Sequence, residues 1–153
     1  MDGKDLAIAL DFGVAAAYKA VMKPAEGTIL TVARLAAAKA AQAAQENNYF
    51  EYVHEAAIAE AKIALAGTTD MNPVLKKAGV VDAGGKGWLV ALEAMLSALQ
   101  GNDVIVPEGT EAGEIKDAAN FSDFDTEEIT FTYCTEFIIS RENDLDPEKL
   151  RDF

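Results

Sequence analysis

TILTVARLAAAKAAQAAQ, residues 28–45, decides the fold. Thr28 is a good N-cap, because its hydroxyl can accept one of the backbone N–H groups that a first helical turn leaves unpaired. The stretch that follows is so rich in alanine, the strongest helix former, that a helix is expected from Thr28 to about Gln45. Alanine adds little girth, so neighbouring helices can approach such a helix closely. Asn47-Asn48 breaks it.

Upstream, Leu6, Leu10, Val14, Ala17 and Val21 recur at steps of four and three, which is one face of a helix. Asp2 or Asp5 can cap it, and Pro24 with Gly27 ends it. Downstream, Tyr49 to Ala66 reads as a third helix, with Phe50, Val53 and Ala57 on one side and His54, Ile58 and Leu65 on another; Gly67 closes it. TTDMNPVLKKAG is a connection with one helical turn after Pro73, since proline is welcome at a first helical position. A further helix is expected from near Gly85 to Gln100, burying Trp88, Leu92, Met95 or Leu96, and Leu99. Residues 1–100 thus read as mainly α, a bundle of antiparallel amphipathic helices.

Beyond them the character changes. Residues 101–128 carry many acids against a single lysine, Lys116, and read as an acidic linker. EITFTYCTEFII then alternates, with Ile129, Phe131 and Tyr133 on one face and Thr130, Thr132 and Cys134 on the other, which is strand periodicity. DPEKLRDF looks like a helix start. A lone strand cannot pair its backbone, so residues 129–153 are expected to open a second, α+β domain that is cut short. The chain reads as a fragment.

Composition narrows the function. A length of 153 residues leaves room for one domain and a piece of another, and half the residues are apolar. A net charge of −13 argues against nucleic-acid binding, which needs Lys and Arg on phosphates. A single cysteine, Cys134, excludes an intrachain disulfide and fits a reducing compartment. The start, MDGKDLAIAL, lacks the basic patch of a signal peptide, and no apolar run approaches the ~20 residues that membrane insertion needs. The expected setting is cytoplasmic.

The chemistry concentrates in AGVVDAGGKGWLVAL, residues 78–92, where Gly84, Gly85 and Gly87 follow Asp82. A Walker loop would need lysine where Gly85 stands, and a dinucleotide fingerprint would need glycine where Val90 stands. Both fail. Two readings remain: a tight turn between helices, or a helix start whose bare N–H groups and dipole favour an anion, with Lys86 adding charge. Pro24-Ala25-Glu26-Gly27-Thr28 is a second loop entering a helix, either a plain cap or part of a site. The two helices it concerns are two apart in an antiparallel bundle, so both loops are expected at the same end. His54 has no Ser, Asp or Cys beside it in a catalytic arrangement, and reads as a surface or half-buried residue. Cys134 reads as an ordinary strand thiol, because zinc needs three or four clustered ligands.

VMKPAEGTILTVAR (21–34), NPVLKKAGVVDAGGKG (72–87) and EITFTYCTEF (128–137) occur together and in that order. In this the chain resembles bacterial fatty acid kinases, whose first domain is the DhaL-type nucleotide-binding domain of the dihydroxyacetone kinase family. The resemblance implies a barrel of antiparallel amphipathic helices with ATP and magnesium at one end. It implies that Thr28 and Ile29 contact the nucleotide and that Asp82, Ala83, Gly84 and Gly85 line the same site. It also implies a lipid-binding partner protein that presents a fatty acid, whose carboxylate ATP phosphorylates. Relatives phosphorylate dihydroxyacetone instead, and the third motif tips the reading to the fatty-acid type.

The family holds magnesium with a Gly-Asp-Gly-Asp-Thr-Gly cluster and phosphates with a glycine-serine loop, and neither occurs in this sequence. On that pattern the chain matches the C-terminal half of the domain, lacks the N-terminal half as a partner, and is not a competent kinase alone. Cys134 matches a metal ligand of the family's middle domain whose two histidine partners come later, so a zinc site would be incomplete. A half-barrel is expected to expose apolar surface and self-associate. The rival from another class is a non-enzymatic helical interaction module.

Overall fold

The computed structural model describes residues 1–102 and gives them five helices: α1 (Gly3–Ala20), α2 (Ile29–Glu46), α3 (Phe50–Met71), α4 (Pro73–Ala78) and α5 (Ala83–Leu99). No strand occurs among the described residues. The acidic run from Asp103 onward, the alternating segment with Cys134 and the last helix start lie outside them.

Helix α2 is the spine. It packs against α1, α3 and α5, while α1 also touches α3, α4 rests on α3, and α5 lies on α3 and α2. Among the described residues the backbones of α1 and α5 stay apart. The alanines explain how α2 and α3 come so close: Ala36 and Ala40 on one, Ala57 and Ala61 on the other, are fully buried. Each buried methyl contributes on the order of 1 kcal/mol, and close backbone approach adds dispersion that larger side chains would prevent. Val32, Val53, Ile58, Leu65, Leu89 and Leu92 complete the core.

Helix starts follow the capping residues. Asp2 and Asp5 form a reciprocal capping box at α1. Asn48, the expected breaker between α2 and α3, anchors that start: its Oδ1 accepts from Lys4 N at 2.7 Å and its backbone oxygen accepts from Gly3 N at 3.0 Å. Thr28 caps α2. Asn72 ends α3 and caps α4, and Pro73 stands at the first position of α4, as read from the sequence.

Three expectations need correction. Helix α3 does not stop at Ala66: it runs through Gly67 to Met71. A glycine costs a helix about 1 kcal/mol, and the burial of Ala64, Leu65 and Thr68 around it outweighs that. Helix α5 begins at Ala83, two residues before Gly85, because Asp82 caps it. Its buried stripe is Gly85, Leu89 and Leu92 with Trp88 and Leu96 partly covered, whereas Met95 and Leu99 are exposed. His54 is neither on the surface nor half-buried: it is wholly enclosed, with its ring edge-to-face on Phe50 at 5.8 Å. No helix among the described residues is long and apolar enough to cross a membrane.

Candidate functional site at two helix starts

The 24–28 loop is held by a ring of polar groups. The Glu26 carboxylate accepts from Thr31 Oγ1 at 2.7 Å, from Arg34 Nη2 at 2.7 Å and from Tyr18 Oη at 3.1 Å, while Arg34 Nε donates to Tyr18 Oη at 3.1 Å. These donors, Thr31 first and Arg34 next, hold the Glu26 carboxyl below its ordinary range. Thr31 Oγ1 also accepts from Gly27 N at 2.9 Å. Thr28 Oγ1 donates to Ala25 O at 2.8 Å and accepts from Leu30 N at 3.3 Å. Gly27 has φ +75, a left-handed conformation that favours glycine, and a Cβ there would lie 2.9 Å from Met71 Cβ and 3.0 Å from Thr68 O.

The second loop is short. Thr69 Oγ1 donates to Val80 O at 2.9 Å, and Asp82 N donates to Thr68 Oγ1 at 3.1 Å. Asp82 then caps α5 through Oδ2, which accepts from Gly85 N at 2.7 Å. Gly84 and Gly85 are not loop residues but lie in the first turn of α5, with no positive φ. They differ in surroundings. Gly84 is exposed, and a Cβ there would sit 3.4 Å from Ile29 Cβ. Gly85 is buried, and a Cβ there would come within 2.9 Å of Val32 Cγ2 and 3.2 Å of Leu65 Cδ1. The second glycine lets α5 lie close on α2 and α3; the first leaves room beside the start of α2.

The residues read as one site from the sequence therefore come together: Thr28 and Ile29 open α2, Asp82, Ala83, Gly84 and Gly85 open α5, and the two starts meet at Ile29 and Gly84. The N–H groups of Ile29, Ala83 and Gly84 have no acceptor among the described residues. Two positive dipole ends side by side, with bare N–H donors, suit an anion of phosphate type. Magnesium fits less well. No three His, Cys, Asp or Glu side chains converge among the described residues. Cys134 lies outside them, and His54 is enclosed away from this end.

Two hollows flank the α5 start. A cavity of about 810 Å³ runs between α3 and α5, with Lys62, Lys86 and Glu93 around apolar Leu65, Val80 and Leu89. A second, of about 330 Å³, lies between α1 and α5 over α2, lined by Leu10, Val14, Ala17, Leu30, Ala33 and Trp88. Sequence reasoning missed Thr68 and Thr69, which it placed in a connection, and the Tyr18–Glu26–Arg34 ring. The ring carried only a charge signal, an acid in the 24–28 loop and Arg34 in the helix that follows it. The threonines carried none.

Comparison with known proteins settles the family. The DAK2 domain family profile matches residues 1–97. The chain belongs to the DAK2 domain family. It is 42% identical over 142 residues to protein YloV of Bacillus subtilis, covering 88% of this chain and 25% of that protein. An uncharacterised protein of Staphylococcus saprophyticus is 39% identical over 142 residues, covering 91% of this chain and 26% of its own length. One from Staphylococcus haemolyticus is 41% identical over 142 residues with the same coverage. The chain spans about a quarter of the length of these curated relatives. DAK2 membership places it in the dihydroxyacetone kinase family, as its motifs implied.

Proposed function

We propose that this chain supplies one wall of the ATP site in a DhaL-type kinase, and that the complete protein phosphorylates the carboxylate of a fatty acid held by a lipid-binding partner protein. The observation that carries the reading is the meeting of two helix starts, at Thr28–Ile29 and Asp82–Gly84, whose Ile29, Ala83 and Gly84 N–H groups their caps leave bare, in a DAK2-family bundle. Phosphoryl transfer asks a protein chiefly for positioned, positively polarised groups, and these helix starts supply them. Of this chain's residues, Thr28 and Ile29 would bear on one side of the nucleotide and Ala83 and Gly84 on the other, with Lys86 near the α5 start. Gly85 would act from behind, by seating α5. Magnesium would need acids beyond the described residues, which the family draws from an aspartate cluster, so the chain by itself is expected to be inactive. A cytoplasmic setting accords with ATP chemistry and a lone cysteine.

The test is an ATP titration of the chain, alone and with the family's aspartate-cluster segment, in magnesium. Release of ADP is then followed with an acyl chain on a lipid-binding protein, or with dihydroxyacetone. Turnover that requires the acyl carrier supports the reading, and turnover with dihydroxyacetone moves the chain to the sister branch. Failure to bind ATP in either state sinks both.

A second reading, the helical interaction module, rests on the apolar hollow between α1 and α5, which an amphipathic helix from the N-terminal half of the domain or from a second copy would fill. Tight capture of that segment with no nucleotide affinity would select it.

A further inference from the structure

The starts of α2 and α5 make no hydrogen bond to each other among the described residues; they approach through Ile29 and Gly84, and behind these through Gly85 on Val32, contacts that set no direction. Something else must fix their separation. Both loops lean on one residue at the end of α3. Thr68 is fully buried, the deepest polar side chain at this end of the bundle besides Thr31. Its hydroxyl donates to Leu65 O at 2.6 Å and accepts from Asp82 N at 3.1 Å, which pins the residue that caps α5. Its carbonyl accepts from Asn72 N at 3.1 Å and faces Gly27, where an added Cβ would lie only 3.0 Å away. One residue therefore touches one loop with its carbonyl and the other with its hydroxyl. Thr69 adds a parallel tie, to Val80 O.

We infer that Thr68 is a positioning residue that sets the distance between the two helix starts. It is not a catalytic residue, since nothing buried so deeply can touch a nucleotide. Its influence on ligand binding rests on the ATP-site reading above, but its grip on the two loops does not. A hydroxyl is required in this role for a definite reason. A hydrogen-bonded hydroxyl at a helix end fixes direction as well as distance, whereas valine would fill the same volume and leave the Asp82 N–H to drift. Displacements of about 1 Å at a binding constellation are enough to cost much of its power.

The test compares Thr68→Val and Thr68→Ser. In the full chain, amide hydrogen exchange is read at Asp82, Gly27 and the core position Ala57, with the melting temperature alongside. In the protein assembled with the aspartate-cluster segment, ATP affinity is measured. Thr68→Val, which removes the hydroxyl but keeps the carbonyl that faces Gly27, is expected to speed exchange at Asp82 at least tenfold relative to any change at Gly27 or Ala57, and to weaken ATP binding about tenfold, the equivalent of one hydrogen bond. Thr68→Ser should stay within about twofold of the parent in both. The inference is overturned if Thr68→Val leaves Asp82 exchange unchanged. It is equally overturned if exchange rises uniformly through the core, or if ATP binding survives the loss of Asp82 protection. A parent that binds no ATP defeats the nucleotide reading instead, and the exchange pattern alone then decides for or against Thr68.

Discussion

A Cβ on Gly84 would meet Ile29 Cβ at 3.4 Å and Asp82 Oδ2 at 3.3 Å in an exposed place, whereas one on Gly85 would press on Val32 and Leu65 in the core. Gly84→Val should therefore weaken ATP binding with little loss of stability, since its helical backbone tolerates a side chain. Gly85→Ala should cost about 1–3 kcal/mol by overpacking, seen in denaturant melts followed through the single tryptophan, Trp88. His54 makes a different prediction. Burial pushes its imidazole below its ordinary pKa of 6.5 and outweighs the opposing pull of the nearby Leu92 backbone and of Glu55, and neither ring nitrogen makes a hydrogen bond of sound geometry. The unfolded chain takes up the proton below pH 6.5 while the folded chain resists it. Stability is thus unaffected by this group above pH 6.5, and falls as pH drops below it until the lower folded-state pKa is passed. Melting midpoints between pH 7.5 and 5.5 should show that decline, and His54→Leu should flatten it.

Helix α3 carries the clearest lesson about what a sequence discloses. Gly67 is a helix interior position whose added Cβ would touch nothing nearer than Met71 Cε at 3.7 Å. Gly67→Ala should therefore stabilise the protein by about 0.5–1 kcal/mol, through lower backbone entropy in the unfolded chain, which a thermal melt would detect. The reading that Gly67 ends the helix failed because local propensity is weak and tertiary contacts at Thr68 override it. Helix starts were legible at Asp2, Thr28 and Pro73, where a residue acts on its own neighbours. Positions such as Leu89 against Met95 were not, since they depend on which part of α5 rests on α2 and α3. The candidate site was legible as two loops at one end, because antiparallel order follows from short connections. The bond from Asp82 to Thr68 spans 14 residues and no local pattern marks it. Gly27 lies between these cases. Its glycine was visible, but the reason for it, φ +75 against the Thr68 carbonyl, came only with the fold. Gly27→Ala should cost more than about 1 kcal/mol and loosen both loops together.

For the whole molecule, the separation of α1 from α5 leaves an apolar hollow along α2, and Phe12, Met95 and Leu99 add exposed apolar area. Despite a net charge of −13, the chain is expected to self-associate at high micromolar concentration, and Val14→Asp in the hollow should shift sedimentation toward the monomer. Adding the family's aspartate-cluster segment should compete with that association. The claim that most needs testing is that the two helix starts form one nucleotide site. The direct measurement is an ATP and magnesium titration of isotopically labelled chain, assembled with that segment, following every backbone amide by NMR. The account predicts saturable shifts, with one affinity, concentrated at Thr28, Ile29 and Leu30 and at Asp82, Ala83 and Gly84. Shifts that saturate at only one of the two starts, or that cluster elsewhere on the bundle, would contradict it.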